Sequence, residues 1–162
     1  MRLAAPRDAP LFAATGLGYA RPPMRAEPDA SLEPMLAAAH AARAHAHAPY
    51  SNFAVGACLR AEGGRLYAGC NVENAAYPLG MCAEAVAVGA MVAAGERVIL
   101  ELVLVAGGAE LCTPCGGCRQ IMAEFAGQDL PIHLCDLEGW RRTVTLGELL
   151  PLSFGSGHLE PR

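Results

Sequence analysis

The feature that most constrains the fold of this chain is a set of three cysteines in two separated strings. Cys82 opens a Cys-Ala-Glu string, and Cys115 and Cys118 belong to a Pro-Cys-Gly-Gly-Cys string further along. Three thiolates can bind one Zn²⁺ and leave its fourth coordination position open, which is typical of a catalytic site. The chain must therefore bring both strings together, and Glu84 would then be placed to transfer protons at this site.

Cys82 and Cys115 each directly precede a predicted helix. We expect these helices over 83–94 and 116–126, each buried on most sides, with an almost continuous apolar strand over 98–106 between them. A helix N-terminus favours negative charge and so supports the thiolate that binds zinc. Because open α/β sheets bind ligands beyond their strand ends, the two helix starts can form one site there.

The remaining pattern predicts a three-layer α/β/α sandwich around a mixed five-stranded sheet. The expected elements are an Ala-rich helix over 32–47 with Ser31 as its N-cap, a β-hairpin with strands over 53–59 and 65–70, a loop over 71–81, strands over 131–135 and 142–145, and a short helix over 146–150.

The chain of 162 residues is sized for one domain. Residues 1–30 are rich in Ala, Pro and Gly without sustained periodicity, which predicts a loosely ordered extension. The folded catalytic domain is expected over 31–155, and 156–162 would be a C-terminal tail.

Composition argues against several classes of partner. The net charge is −4, lysine is absent and the twelve arginines form no basic stripe, so we expect a small substrate and no nucleic acid. No apolar run approaches the roughly 20 residues that span a bilayer, and the start of the chain lacks a signal-peptide pattern. We therefore expect no membrane partner and a cytoplasmic protein, a compartment in which clustered cysteines are more often metal ligands than disulfides.

Cys112 allows two other interpretations, since it forms a C-x₂-C-x₂-C run with Cys115 and Cys118. An iron–sulfur cluster would need a fourth cysteine soon afterwards, and the next one is the distant Cys135. A closed four-sulfur zinc site would include Cys112 and serve structure alone. It would leave Glu84 without a role.

The two strings resemble the signature of zinc-dependent nucleobase deaminases. From about 35 to 154 the chain resembles the small homotetrameric class of cytidine deaminase, with matching strings at 48–57, 69–77, 118–120 and 148–151. The resemblance implies one Zn²⁺ per subunit and hydrolysis of cytidine and deoxycytidine to uridine and deoxyuridine with release of ammonia, as in pyrimidine salvage. Zinc-bound hydroxide would attack C4, with Glu84 as the proton shuttle.

The resemblance also implies roles in substrate binding. Asn71 and Glu73 would bind the ribose hydroxyls, the backbone of Ala83 would bind the base, and Phe53 would line the base pocket. Phe154 would enter the site of a neighbouring subunit in a homotetramer, which would complete active sites across the interfaces. Without the resemblance, Phe53 is interpreted as a core residue and Phe154 as part of a loose tail.

One position departs from the pattern of this family. Many three-cysteine members have an arginine directly after the glutamate, where it hydrogen bonds to the ligand sulfurs, and this chain has Ala85. Three thiolates and Zn²⁺ leave a net charge of −1, so we expect another donor near a sulfur, with Arg119 as a candidate.

Two alternatives stay open on sequence. Blasticidin S deaminase shares the cysteine strings, although the run over 71–77 favours a plain nucleoside. A zinc-stabilised module without catalysis would also retain the three cysteines, and in that case replacing Glu84 would have no effect on any activity.

Overall fold

The computed structural model describes residues 32–159 of the chain. The predicted extension over 1–30 and the predicted N-cap Ser31 lie outside the described residues. In chain order the elements are α1 (Leu32–Arg43), β1 (Val55–Ala61), β2 (Leu66–Cys70), α2 (Ala83–Ala93), β3 (Ile99–Ala106), α3 (Gly116–Ala123), β4 (Pro131–Asp136), β5 (Gly139–Thr145) and α4 (Leu146–Leu149), with 3₁₀ turns at Tyr77–Leu79 and Ser156–His158.

The five strands form one mixed sheet in the order β2-β1-β3-β4-β5. The central pair β3 and β4 is parallel, with Leu104 opposite Leu134, and the other neighbouring strands are antiparallel. A parallel pair needs a crossover connection, and α3 provides it between β3 and β4. The predicted α/β fold class with a mixed five-stranded sheet is confirmed.

Helices cover both faces of the sheet, because side chains on a strand alternate between its faces. On one face, α1 buries Met35 and Ala39 against strand residues that include Val103. On the other face lie the three remaining helices, whose buried contributions include Met91, Met122 and Leu146. The sequence prediction of three layers agrees with these two cores.

The prediction that α2 and α3 are buried on most sides is wrong for the single chain. In α2 the buried residues Ala83, Glu84, Ala87, Val88 and Met91 recur at helical spacing along one face. In α3 only Cys118 and Met122 are buried. The sheet covers one side of each helix, so the small apolar residues on the other side of α2 are partly or fully exposed.

Two glycines let helices approach the sheet closely, and one of them lies beside the helix that begins after Cys82. A Cβ at Gly69 of β2 would lie 2.5 Å from the carbonyl oxygen of Ala83 in the first turn of α2. A Cβ at Gly56 of β1 would lie 2.0 Å from the carbonyl oxygen of Ala39 in α1. Real Cβ atoms do not approach so closely, so both glycines are required by this packing.

Two further features bear on the expectations from composition. All seven cysteines lie in the described range, and each is a free thiol. Between residues 32 and 159, none of the helices has the length and apolar character needed to cross a membrane.

Candidate metal centre and substrate cavity

Three sulfur atoms meet where α2 and α3 begin. Cys82 is the N-cap of α2, Cys115 is the N-cap of α3, and Cys118 lies in the first turn of α3. The Sγ atoms of Cys82 and Cys115 are 3.8 Å apart, and all three sulfurs lie within 4.8 Å of one another. Three sulfur donors at this separation fit a tetrahedral zinc ion and leave one position for another ligand.

The three thiols differ in their readiness to ionise. Burial raises the pKa of both Cys82 and Cys118. Burial also acts to raise the pKa of Cys115, but three hydrogen bonds outweigh this effect and lower its pKa. Two of them come from Cys118, from its backbone N–H and its thiol, and the third comes from the thiol of Cys82. Cys115 is therefore the most acidic of the three, and binding a metal at this centre must release protons.

Glu84 lies beside the sulfurs in the first turn of α2 and is only 4% exposed. Burial raises the pKa of its carboxyl group, although hydrogen bonds from its own backbone N–H and from the Cys118 thiol act in the opposite direction. A buried carboxyl group with a raised pKa is suited to take up and return a proton during a reaction.

A cavity of about 400 Å³ opens above the sulfurs. A volume of this order can hold a small organic molecule. Seven of the nine residues predicted to form the site line it: Phe53, Asn71, Glu73, Cys82, Ala83, Glu84 and Cys115. Cys112, which the sequence offered as a fourth sulfur ligand, also lines it. Further lining residues that the sequence did not indicate are Ser51, Val55, Val72, Gly80, Met81 and Thr113.

Asn71 and Glu73 hold the chain segment that forms one wall of this cavity. The side-chain oxygen of Asn71 accepts from the N–H of Val55 at 2.8 Å, and its amide nitrogen donates to the carbonyl of Phe53 at 2.9 Å. These two bonds use half of the hydrogen-bonding capacity of the amide. Asn71 therefore fixes the backbone on both sides of residue 54 while it lines the cavity.

The Glu73 carboxylate accepts from the N–H groups of Tyr50 at 2.9 Å and Ser51 at 3.2 Å. Hydrogen bonds from the Ser51 hydroxyl and then from the Tyr50 N–H lower the pKa of Glu73. The carboxylate is therefore ionised at neutral pH, and it faces the cavity as a hydrogen-bond acceptor. No sequence pattern signals these contacts, because Glu73 lies 23 and 22 residues from its partners Tyr50 and Ser51.

Phe154 does not line the cavity of its own chain. Its ring is 58% exposed and stacks on His158, with the ring centroids 5.1 Å apart. Its carbonyl accepts a hydrogen bond from the side chain of Gln120 at 2.8 Å. This segment therefore attaches to α3 through its backbone and leaves the aromatic ring on the surface.

Cys112 lines the cavity but is not part of the sulfur group, which within residues 32–159 consists of Cys82, Cys115 and Cys118. The geometry thus does not form the closed four-sulfur site. Two residues of the sulfur group, Cys82 and Cys115, line the cavity together with Glu84.

Arg119, the candidate donor to a sulfur, hydrogen bonds elsewhere. Its guanidinium donates to the carbonyls of Pro114 and Leu149 and to the hydroxyl of Thr113. The donor that does contact a ligand sulfur is the backbone N–H of Cys118, which points at Cys115. Part of the expected compensation for Ala85 therefore comes from the backbone of α3.

Comparison with known proteins identifies the family. Residues 30–134 match the family described as the cytidine and deoxycytidylate deaminase zinc-binding region, and the chain belongs to this family. It is 41% identical over 128 residues to the cytidine deaminase of Sporosarcina psychrophila, covering 79% of this chain and 94% of that one. It is also 41% identical over 128 residues to the cytidine deaminase of Mycobacterium tuberculosis strain H37Rv, covering 79% and 92%.

Solved structures agree with this assignment. The crystal structure of cytidine deaminase from Burkholderia pseudomallei superposes with a TM-score of 0.72 at 42% identity, covering 75% of this chain and 98% of that chain. The crystal structure of cytidine deaminase from Mycobacterium tuberculosis gives a TM-score of 0.68 at 40% identity, covering 78% and 99%. The resemblance on which the sequence prediction relied is confirmed.

Proposed function

We propose that this protein is a zinc-dependent cytidine deaminase that hydrolyses cytidine and deoxycytidine to uridine and deoxyuridine and releases ammonia, a reaction of pyrimidine salvage. The observation that carries this proposal is the placement of three cysteine sulfurs within 4.8 Å of one another beside a buried glutamate that lines a cavity. A structural zinc site would need neither the glutamate nor the cavity.

The residues present fit a zinc ion. Cys82, Cys115 and Cys118 would hold one Zn²⁺ per subunit, since their three sulfur donors lie within 4.8 Å of one another at the starts of two helices. When bound, the ion supplies a Lewis acid that lowers the pKa of water to near 7. The remaining chemistry falls to the side chains of the cavity.

Glu84 would carry the proton. Its carboxylate would accept a proton from the attacking water, deliver it to the ring nitrogen of the base, and later assist the departing amine. Burial raises the pKa of this carboxyl group, which brings it closer to the value at which it can both accept and donate near neutral pH.

The substrate would lie along the cavity with its base at the sulfur end. There the backbone of Ala83 and the carboxyl of Glu84 would bind the base, and Phe53 would pack against it. The ribose would lie at the other end, which Asn71 and the ionised Glu73 line, and their side-chain oxygens would accept hydrogen bonds from its hydroxyls. Within the described chain the lining residues include no arginine, which supports a nucleoside over a polynucleotide.

The active subunits would assemble as a homotetramer, with Phe154 completing the site of a neighbour. Phe154 is exposed outside its own cavity, and the nearby Leu152 is fully exposed at 102%. The partly exposed apolar side of α2 offers further surface for association.

Seven free thiols suit a reducing compartment, so we place the protein in the cytoplasm.

The decisive test replaces Glu84 by Gln in the zinc-loaded protein. We expect kcat for cytidine to fall by about 10²-fold or more, while zinc content and circular dichroism stay unchanged. Glu124→Gln, at an exposed position after α3, is the matched control and should retain wild-type kcat. A Glu84→Gln variant that keeps full turnover would contradict the mechanism.

Two outcomes with the wild-type protein would overturn the proposed substrate. One is a zinc-loaded protein that deaminates neither cytidine nor deoxycytidine, as a non-catalytic module would behave. The other is turnover of blasticidin S with cytidine left unchanged.

A further inference from the structure

Arg119 follows the predicted zinc ligand Cys118 and reaches back over the loop that carries the other ligand of α3. Its Nε donates to the carbonyl of Pro114 at 2.8 Å, and its Nη2 lies 3.4 Å from the hydroxyl oxygen of Thr113. Its Nη1 donates to the carbonyl of Leu149, 30 residues away, at 2.9 Å. One half-buried guanidinium therefore joins the loop before α3 to the last residue of α4.

The contact with Pro114 acts directly on Cys115. The carbonyl of Pro114 and the N–H of Cys115 belong to one planar peptide group, so fixing the carbonyl fixes the plane from which the Cys115 side chain projects. Pro114 is itself fully buried, which holds the other side of this loop. The orientation of the Cys115 sulfur thus depends on where the guanidinium holds this peptide.

The guanidinium is chemically suited to this task. It is planar and always charged, and it presents donors in several fixed directions, whereas the ammonium group of lysine is a compact charge on a flexible stem. Hydrogen bonds from a charged donor are also stronger than neutral ones. A lysine at this position would keep the charge but could not hold Pro114 and Leu149 in the same geometry.

We propose that Arg119 is a positioning residue for the metal centre: it clamps the Thr113–Pro114 segment to the end of α4 and thereby holds Cys115 at the distance from Cys82 that zinc requires. The proposal rests on the zinc site of the proposed function but not on the identity of the substrate. Groups that orient metal ligands typically change metal affinity by about 10- to 100-fold when removed.

The test measures the zinc affinity of Arg119→Lys and Arg119→Gln by competition with a chromophoric chelator, at a temperature where each metal-free variant is folded by circular dichroism. We expect both variants to bind zinc about 10- to 100-fold more weakly than the wild type. The sulfur-to-metal charge-transfer band of the Co²⁺-substituted protein should shift in both. Arg141→Gln is the control, since Arg141 pairs with Asp136 and Glu138 on the exposed β4–β5 hairpin.

The outcomes separate the proposal from its alternatives. Unchanged zinc affinity and Co²⁺ spectrum in both variants would overturn it. Wild-type affinity in Arg119→Lys with weak binding in Arg119→Gln would overturn it as well, because charge and not position would then matter. If Arg119→Gln does not fold, Arg119→Lys alone decides. A wild-type protein that binds no zinc would instead refute the proposed function.

Discussion

The Sγ atom of Cys82 lies 3.8 Å from that of Cys115, although 33 residues separate them in the chain. The two residues are the N-caps of α2 and α3, which lie on the same face of the sheet and begin next to each other. No short segment of the chain contains this centre. It forms only when β3 and its flanking helices have packed, so zinc binding should depend on the complete fold.

The first prediction concerns the sulfur set. Cys118→Ala should lower zinc affinity by more than about 100-fold, because losing a ligand costs more than losing a group that merely orients one. Cys135→Ala is the matched control, since Cys135 is equally buried but lies in β4 away from the cluster. Atomic absorption after dialysis against a weak chelator measures both. Zinc retained by Cys118→Ala would contradict the assignment.

Cys112→Ala extends this comparison. Cys112 lines the cavity without joining the three-sulfur group, so its removal should leave the zinc content at one ion per subunit. Loss of zinc from this variant would instead support the closed four-sulfur site, against which the geometry argues.

The second prediction concerns the approach of β2 to α2. Gly69→Ala would place a methyl group 2.5 Å from the Ala83 carbonyl oxygen, so the strand and the helix must separate. Overpacking of this kind costs about 1–3 kcal/mol in the free energy of unfolding, which urea titration measures. Gly157→Ala, where an added Cβ meets nothing within 4 Å, should change it by less than about 0.5 kcal/mol.

Gly69→Ala should also shift the position of Glu84, since the carbonyl that must move belongs to Ala83, the residue directly before it. An unfolding free energy equal to that of the wild type would show that the two elements can separate without cost. In that case the close approach would not hold α2 in place.

The third prediction concerns a buried histidine on the other face of the sheet. Burial lowers the pKa of His133, although the neighbouring Glu101 carboxylate, 3.4 Å from its Nε2, acts in the opposite direction. Between this lowered pKa and about 6.5, the unfolded chain binds more protons than the folded one. Stability should therefore fall as the pH drops below about 6.5, by at most about 1.4 kcal/mol per pH unit from this residue.

The measurement compares urea unfolding of the wild type and His133→Gln from pH 7.5 to 5 at one protein concentration. The unfolding free energy of the wild type relative to the variant should decrease as the pH falls. A constant difference between His133→Gln and the wild type would refute the prediction, and the common pH dependence of metal binding cancels in the comparison.

Local patterns in the sequence predicted the strands and the helix starts that carry the cysteines, because each of these has a local cause. Apolar strands and the helices that follow the cysteines can be identified from neighbouring residues, and zinc chemistry then requires Cys82 and Cys115 to meet. The bonds of Asn71 and Glu73 to the backbone of residues 50–55 could not be predicted in this way, since they depend on how two distant loops pack. The hydrogen bonds of Arg119, which the sequence offered as a donor to a sulfur, could not be predicted for the same reason: its partner Leu149 is set by tertiary structure.

The burial of α2 shows a different limit. A helix rich in alanine and valine predicts burial on most sides, whereas the single chain covers only the face with Ala87 and Met91. Sequence hydrophobicity does not distinguish a surface covered by the same chain from one covered by another copy. The exposed ring of Phe154 is likewise a surface that another copy of the chain would cover in the proposed homotetramer. Assemblies that contain two different variants can test this.

The last prediction combines one weakened and one inactive variant to test whether Phe154 acts across a subunit interface. Phe154→Ala should lower kcat/KM for cytidine by about 10-fold or more, as the loss of an aromatic contact with a base commonly does. Glu84→Gln should be inactive for the reason given above, yet its chains still carry Phe154. Co-expression of the two variants would then form sites in which an intact Glu84 meets a Phe154 from a neighbouring chain. With random mixing in a closed assembly, about one quarter of the sites should be complete. Recovered activity well above the sum of the separate variants would support donation of Phe154 between subunits, with assembly checked by analytical ultracentrifugation.

Glu84→Gln mixed with a Glu84→Gln/Phe154→Ala double variant is the control and should stay inactive. If the first mixture shows no recovery although mixed assemblies form, Phe154 does not complete a neighbour's site.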